Sequence, residues 1–257
     1  MNSRQAFTLI ELLVVIAILG VLASLLLPAL SRAKSKAQQT NCLINLQQLQ
    51  VGWLMYVHEQ NDTLPLNAQG ITSYSGNAST TNSWVVGDAT YSADLSYIRQ
   101  GTLYPYVGHP GVYHCPSDRS LVKGSGVLRA RSYSLDYYLN GGIDPKYSQY
   151  LPGDCASTVV VKYAAISHPS HVFAFLDENE NTIEDGVYLL FRDPDETWQN
   201  APSDRHSQGL NLSFTDGHCE YWKWRYPKQM QGLAEGIASA DDLLDLRRLQ
   251  AALPNAP

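Results

Sequence analysis

The chain has 257 residues, a net charge of −6 and four cysteines, which suits one membrane segment followed by one soluble domain with a core of its own. Its acidic balance argues against nucleic acid as a partner. The cysteines have no C-x-x-C spacing, so the sequence alone does not predict a structural zinc site.

The first element is an apolar run over residues 7–30, in which Glu11 is the only charged residue. A helix rises about 1.5 Å per residue, so this run reaches about 36 Å and can cross a hydrocarbon layer of about 30 Å. We therefore predict a transmembrane helix. A carboxylate inside such a helix is costly and usually functional. The run contains no basic residue, so we expect Glu11 to meet a partner from outside it.

The start of the chain resembles the type IV prepilin and type II secretion pseudopilin family. Ala6 followed by Phe7-Thr8-Leu9-Ile10-Glu11 and the run up to Ile18 carry the resemblance. It implies that residues 1–6 are a leader, that a prepilin peptidase cuts between Ala6 and Phe7, and that the new N-terminus at Phe7 is methylated. The family usually has glycine where this chain has Ala6.

The resemblance also implies a role for Glu11 in subunit assembly, because cleavage creates an amine that can meet the Glu11 carboxylate of a neighbouring subunit. Two unit charges 4 Å apart attract by about 4 kcal/mol at an effective dielectric constant of about 20. The alternative is that Glu11 snorkels to the headgroups from its place near the helix end.

Helical periodicity continues beyond the membrane segment. Apolar residues recur at helical spacing and predict an amphipathic spine helix over residues 31–60, stopped by Asn61-Asp62. The two helical segments form one helix of about 50 residues. Residues 61–257 then form a globular domain with an antiparallel sheet, so the predicted fold class is α+β and pilin-like.

Within that domain we expect a surface loop from Asn67 to Asn82 and a short helix with a turn near residues 95–107. Alternating runs predict short strands over residues 131–139, 159–163, 171–176 and 186–191. The last segment, Ala240 to Ala252, predicts a helix capped by Ser239.

The clearest hairpin centres on Asp216-Gly217, which we interpret as a two-residue turn. That pairing sets Phe214 opposite Cys219 and Leu212 opposite Tyr221, and it predicts that this apolar face packs on the spine helix. His206, nine residues and then Asp216-Gly217 also resemble the motif of a domain that accompanies the prepilin signal in many exported bacterial proteins.

Two metal hypotheses remain open. Asp204, His206, Asp216 and His218 could bind a transition metal, although structural roles in the turn are favoured. Calcium could bind the acidic stretches 177–180, 184–185 and 193–196, although no EF-hand spacing is present. No other cofactor is expected.

The four cysteines allow three disulfide pairings, which sequence cannot separate. Cys42 on the spine helix and Cys115 in a proline-containing loop are one possible pair, and Cys219 suits a buried free thiol.

We expect a structural subunit of a type IV pilus-like filament or a type II secretion pseudopilus, and no catalysis. Its partners are then the prepilin peptidase, other pilin or pseudopilin subunits and, before assembly, the inner membrane. The resemblance implies one membrane pass with a periplasmic C-terminal domain, although Arg32, Lys34 and Lys36 alone would favour the opposite orientation.

Two alternatives stay open. The first is a minor or tip pilin that binds a surface or a glycan, for which Trp222 and Trp224 would have to be exposed. The second is a membrane-anchored extracytoplasmic hydrolase that uses His206 and Asp216.

Overall fold

The computed structural model describes residues 9–72, 76–143 and 158–254. Its first element, α1, is a 51-residue helix spanning Leu9–Glu59, which confirms the single long helix. Asn61 and Asp62 follow with φ angles of 51° and 66°. These left-handed residues cannot continue a right-handed helix, so the chain turns back along α1 at the predicted place.

The second half of α1 buries one side. The buried positions recur every three or four residues: Gln39, Cys42, Leu46, Leu49, Gln50, Gly52, Trp53 and Val57. Gly52 allows α3 to approach closely, because a Cβ there would lie 2.8 Å from Val107 Cγ2. The buried stripe thus contains two glutamines besides the expected apolar residues.

The described part of the globular domain holds three further α-helices and ten short strands. The helices are α2 (Leu95–Gln100), α3 (Tyr104–Val107) and α4 (Ala240–Gln250). The strands are β1 (Asn67–Thr72), β2 (Gly76–Ser79), β3 (Tyr133–Asp136), β4 (Gly141–Ile143), β5 (Phe173–Asp177), β6 (Val187–Tyr188), β7 (Thr197–Trp198), β8 (Gly209–Phe214), β9 (Cys219–Lys223) and β10 (Glu235–Gly236).

The main sheet has five strands in the order β6-β3-β5-β8-β9. Its pairs are antiparallel except β3 with β6, which run parallel. The α+β class is therefore confirmed. The sheet is antiparallel as predicted, apart from one parallel pair at its edge. The cap of α4 is also confirmed, since the Ser239 side chain accepts a hydrogen bond from Asp242 N. The strand predicted over 159–163 is reduced to isolated bridges of Val160 with Leu139 and of Lys162 with Thr63, and Tyr163–Ala165 forms a 3₁₀ turn.

The surface loop predicted from Asn67 to Asn82 is wrong. β1 pairs with β2 and with β4, and together they form a small three-stranded sheet. Asn67 is fully buried, and its side-chain amide donates to the carbonyl oxygens of Leu135 and Asp136. Polar composition misled the prediction, because a buried asparagine can tie a strand to its neighbour through the backbone.

The main sheet separates two hydrophobic cores. One lies against α1 and contains Trp53, Trp84, Leu135 and Phe175 among others. The second lies on the other face, where Leu210 and Leu212 meet α4 and neighbouring aromatic side chains. The chain beyond α1 therefore forms layers in the order α1, sheet, α4, and every residue of β5 is buried because it has a core on each side.

The β8–β9 hairpin is present, but its predicted register is wrong by one residue. Ser213 lies opposite Cys219, and Phe214 N donates to His218 O, which leaves a three-residue loop. Gly217 adopts φ 108° in that loop. Since side chains alternate between faces, the apolar residues of β8 point at α4 and its polar residues point at α1.

Candidate functional site

The membrane half of α1 exposes apolar side chains in every direction. An 18-residue window in this helix has a mean hydropathy of 2.9, and none of the window is buried. By length and composition the helix could cross a membrane. The protein therefore carries an apolar rod that its own domain does not cover.

Glu11 lies in the first turn of α1, on the exposed apolar half. Ala6 and Phe7 lie outside the described residues. The cleavage site, the methylation at Phe7 and the assembly role of Glu11 therefore stay predictions.

A polar seam joins the spine half of α1 to the sheet. We define it as Gln39 and Gln50 on α1 with Asn211 and Ser213 on β8. Asn211 Nδ2 donates to Gln39 O at 3.0 Å, and Ser213 Oγ donates to Gln50 Oε1 at 3.0 Å. Near the hairpin, Gln47 Nε2 donates to Gly217 O at 2.9 Å. These contacts fix the axial position of the sheet on the helix.

Beside the seam lies a compact group that we name the His206 cluster: Cys42, Cys115, Asp177 and His206. All four residues are buried, and one potential ligand atom from each lies within 4.8 Å of the others. His206 Nε2 is 3.3 Å from Cys115 Sγ and 3.3 Å from Asp177 Oδ2. The cluster joins α1, the loop after α3, the end of β5 and the loop before β8.

Arg205 adds a positive charge to this cluster. Its guanidinium lies 2.6 Å from Asp177 Oδ1 and 3.3 Å from Asp118 Oδ2. Burial opposes ionisation of Asp118, but Arg205 and hydrogen bonds from serine residues hold the pKa of that carboxyl below its usual value. Burial likewise opposes protonation of His206, yet Asp177 and Cys115 outweigh it and raise the pKa of His206 to about 9.

Comparison with known proteins agrees with the exposed helix. The family described as "Prokaryotic N-terminal methylation motif" matches residues 1–27. Type II secretion system core protein G of Klebsiella michiganensis is 34% identical over 107 residues, which cover 42% of this chain and 71% of the relative. The chain belongs to the prepilin and pseudopilin family.

Two other matches of this prepilin-family chain are shorter. Core protein G of Klebsiella pneumoniae is 41% identical over 71 residues, or 28% of this chain and half of the relative. The type IV major alpha-pilin of Moraxella bovis is 55% identical over 40 residues, or 16% of this chain and a quarter of the relative. No solved structure matched the chain. The protein is a membrane-anchored structural subunit of a pilus-like filament or a pseudopilus.

In this prepilin-family structure the four predicted metal ligands do not converge. Asp216 and His218 pair with each other at 2.6 Å on the hairpin, where both side chains are partly exposed. His206 instead belongs to the buried cluster, and Asp204 accepts a hydrogen bond from Lys228 N. Asp204 and His206 lie just before the start of β8, whereas Asp216 and His218 lie beyond its end, in the connection to β9. His206 and Asp216 share no partner, so the pair needed for the hydrolase alternative is not assembled.

Cys42 and Cys115, one of the possible cysteine pairs, lie together in the His206 cluster. Both are free thiols in the structure, as is the half-buried Cys219. A disulfide between Cys42 and Cys115 stays a prediction. Cys155 lies outside the described residues.

Most carboxylates in the acidic stretches proposed for calcium already have hydrogen-bond or ion-pair partners within the protein. Asp177 binds Arg205, Glu178 accepts from Thr182 and Asn200, and Asp185 accepts from Val187 N. Among the described residues, no three of these carboxylates come together as possible ligands. The calcium hypothesis stays a prediction.

The two tryptophans required by the glycan-binding alternative are buried. Trp222 is 7% exposed and packs under Arg248, while Trp224 is 2% exposed and donates from Nε1 to Ser203 O. Both tryptophans pack in the core beside α4. The glycan-binding alternative therefore lacks the exposed aromatic surface that it requires.

Sequence reasoning missed Asp177 and Arg205 as members of the buried charged region. A signal was available for Asp177, since it ends an apolar run over residues 172–176 that predicts a buried strand. Arg205, next to His206, offered none: its three acidic partners lie 25 to 87 positions earlier in the chain.

Proposed function

We propose that this chain is a subunit of a type II secretion pseudopilus, that it is held in the inner membrane by α1 until assembly, and that it then packs through the same helix into the filament. The observation that carries this proposal is the apolar half of α1, which its own domain leaves uncovered. Apolar surface of this extent is stable only against lipid or against other apolar helices.

The described part of the apolar run supports both environments. Residues 9–30 extend about 33 Å along the helix, which matches a hydrocarbon layer of about 30 Å. The same length allows neighbouring α1 helices to pack side by side once subunits leave the membrane. The domain stays clear of this interface because it binds only the spine half of α1.

Processing precedes assembly in this proposal. A prepilin peptidase cuts between Ala6 and Phe7, and the new amine of Phe7 is methylated. The free amine of one subunit then meets the Glu11 carboxylate of its neighbour, which sets the axial step between subunits. An attraction of about 4 kcal/mol offsets much of the cost of holding a carboxylate in an apolar bundle.

The pseudopilus is preferred to the pilus because of the extent of the similarity. The match to core protein G covers 107 residues, and therefore continues beyond the membrane segment, whereas the match to the alpha-pilin covers 40. The domain of this chain then faces the periplasm.

Two substitutions of Glu11 test the assembly role. Glu11→Gln keeps the shape and removes the charge, and Glu11→Leu also removes the polarity. Both variants are expected to insert and to be cleaved, but to form no filaments by electron microscopy and no subunit crosslinks. Ser24→Ala, in the same segment, is the matched control. Normal filaments from Glu11→Gln would refute the charge pairing.

Processing and orientation have separate readouts. N-terminal sequencing of the mature protein should begin at Phe7, and its mass should include one added methyl group. A C-terminal reporter that is active only in the periplasm should be active. A mature chain that retains Met1 would refute cleavage, and a cytoplasmic reporter signal would refute the orientation.

A further inference from the structure

The His206 cluster has the composition and spacing of a metal site. Two sulfurs, one imidazole nitrogen and one carboxylate oxygen are the ligand types that zinc prefers. Metal–ligand distances of about 2.0–2.3 Å in a tetrahedron require ligand atoms roughly 3.3–3.8 Å apart. The nitrogen lies 3.3 Å from the sulfur of Cys115 and 3.3 Å from the Asp177 oxygen, and all four atoms lie within 4.8 Å.

An unsatisfied atom points into the same space. Asp177 Oδ2 is fully buried and accepts no hydrogen bond, although Nε2 of His206 lies 3.3 Å away. A buried carboxylate oxygen without a donor is unfavourable. A cation held at the centre of the cluster would satisfy it.

Neighbouring side chains contact three of the four ligands and hold them in place. Tyr133 OH donates to Cys42 Sγ at 3.2 Å, and Ser117 Oγ lies 3.5 Å from His206 Nδ1. Arg205 donates to the other oxygen of Asp177 at 2.6 Å. Such outer contacts orient ligands and tune the charge of metal sites. An open cleft lined by Lys36, Gln39 and Ser207 reaches His206 and offers a route of entry.

We propose that the His206 cluster is a structural site for one thiophilic divalent cation of the zinc type. The cation binds the sulfurs of Cys42 and Cys115, Nε2 of His206 and Oδ2 of Asp177. Binding displaces the two thiol protons, together with the imidazolium proton where His206 is charged. Two thiolates and the carboxylate then exceed the charge of the cation by one, and the adjacent Arg205 compensates that excess.

The consequence is mechanical. The four ligands come from segments far apart in the chain, and one of them is on α1. The cation thus joins the helix that enters the filament to the sheet that remains outside it. All four ligands are protein groups with no position left for water or substrate, so the site is structural and not catalytic.

The competing outcome is a disulfide between Cys42 and Cys115, formed in an oxidising compartment by loss of two electrons and two protons to a thiol oxidant. A disulfide removes both thiolate ligands, so the two outcomes exclude each other. Metal content and thiol state of the same sample therefore distinguish them.

The test uses the full chain in detergent, reduced and stripped by a chelator, then titrated with Co²⁺ as an optical probe and with Zn²⁺ in competition. We expect one Co²⁺ per chain, with thiolate charge-transfer absorption and the visible bands of tetrahedral cobalt, and displacement by Zn²⁺. The matched control carries Cys155→Ser and Cys219→Ser, keeps only the two proposed ligand cysteines and should bind equally.

In that control background, Cys42→Ser and Asp177→Asn should each weaken Co²⁺ binding by more than about 100-fold, since loss of an outer partner alone costs about 10- to 100-fold. Tyr133→Phe keeps all four ligands and should weaken Co²⁺ binding less than either ligand variant does. It therefore still tests the site if a ligand variant fails to fold. A folded, reduced control protein without saturable thiolate absorption would overturn the proposal. So would protein isolated from exporting cells with a Cys42–Cys115 disulfide and no zinc.

Discussion

Ser213 on β8 donates a hydrogen bond to Oε1 of Gln50 on α1 at 3.0 Å, across 163 positions of sequence, and both side chains are fully buried. The same hydroxyl accepts from Phe175 N at 3.1 Å. One small side chain therefore links the spine helix to two adjacent strands of the main sheet. The polar seam, as well as apolar packing, sets how the domain sits on the helix.

Ser213→Ala should lower the free energy of unfolding by about 1–3 kcal/mol, because it leaves a buried amide oxygen and a buried backbone N–H without partners. Gln50→Leu and the double variant complete a cycle that isolates the coupling of the two side chains. Chemical denaturation followed by circular dichroism measures it. Gln48→Leu, an exposed position on α1, is the control, and strictly additive effects would show that the seam hydrogen bond contributes nothing.

The limits of sequence reasoning follow from these residues. The span and end of α1 could be predicted because helical periodicity and the Asn61-Asp62 stop are local. The hairpin could be located, but Asp-Gly does not decide between two-residue and three-residue loops, and that choice moves the side chains of β9 to the other face relative to those of β8. Which face of β8 packs on α1 is a separate question: apolarity predicted the leucine face, whereas the structure turns Asn211 and Ser213 to the helix.

The buried cluster was less accessible still. Cys115 and His206 are 91 positions apart, and nothing local indicates that they meet. Pairing Cys42 with Cys115 followed from their settings on a helix and in a tight loop. Asp177 and His206 joined them only through the pairing of β5 with β8, which is a property of the whole sheet.

The Asp216-Gly217 turn gives a prediction about the glycine. Gly217 has φ 108°, a conformation that L side chains rarely adopt, and a Cβ there would lie 3.4 Å from Leu54 Cδ1. Gly217→Ala should lower the free energy of unfolding by about 1–3 kcal/mol through backbone strain. Gly232→Ala is the matched control, because its Cβ would meet open space. Equal midpoints of denaturation for the two variants would contradict a strained turn.

Asp136 should make stability depend on pH. It is fully buried, accepts a single hydrogen bond from Tyr138 N, and burial raises its pKa to about 8 despite the nearby charge of Arg192. In the unfolded chain its pKa is about 3.9. Between these values the folded state holds a proton that the unfolded state has released, so this contribution to stability is lost as pH rises from about 4 to about 8.

Asp136→Asn should therefore flatten the decline in stability over that pH range, because the amide keeps the shape of the protonated acid and cannot ionise. Denaturation midpoints of the wild type and the variant, measured at intervals from pH 5 to 8.5, provide the comparison. Other buried acids affect both proteins alike, so the difference between the two curves isolates Asp136. Parallel curves would mean that Asp136 titrates at an ordinary pKa.

Lys228 holds α4 against the sheet domain. Its fully buried ammonium lies 2.7 Å from Asp242 Oδ1 and 2.8 Å from Asp245 Oδ2, and it sits about 5 Å from the ring centroids of Trp198 and Trp224. The two carboxylates belong to α4, and the lysine comes from the loop after β9. One cation thus neutralises two buried acids in a low-dielectric region.

Lys228→Met keeps the length of the side chain and removes the charge. It should lower the free energy of unfolding by about 3–5 kcal/mol, because two buried carboxylates lose their compensation and only their backbone and Trp198 hydrogen bonds remain. Lys223→Met, an exposed lysine on β9, should change stability little. If the loss arises from uncompensated charge, adding Asp242→Asn and Asp245→Asn to Lys228→Met should recover part of the lost free energy of unfolding. No recovery in that combined variant would instead indicate lost packing against the tryptophans.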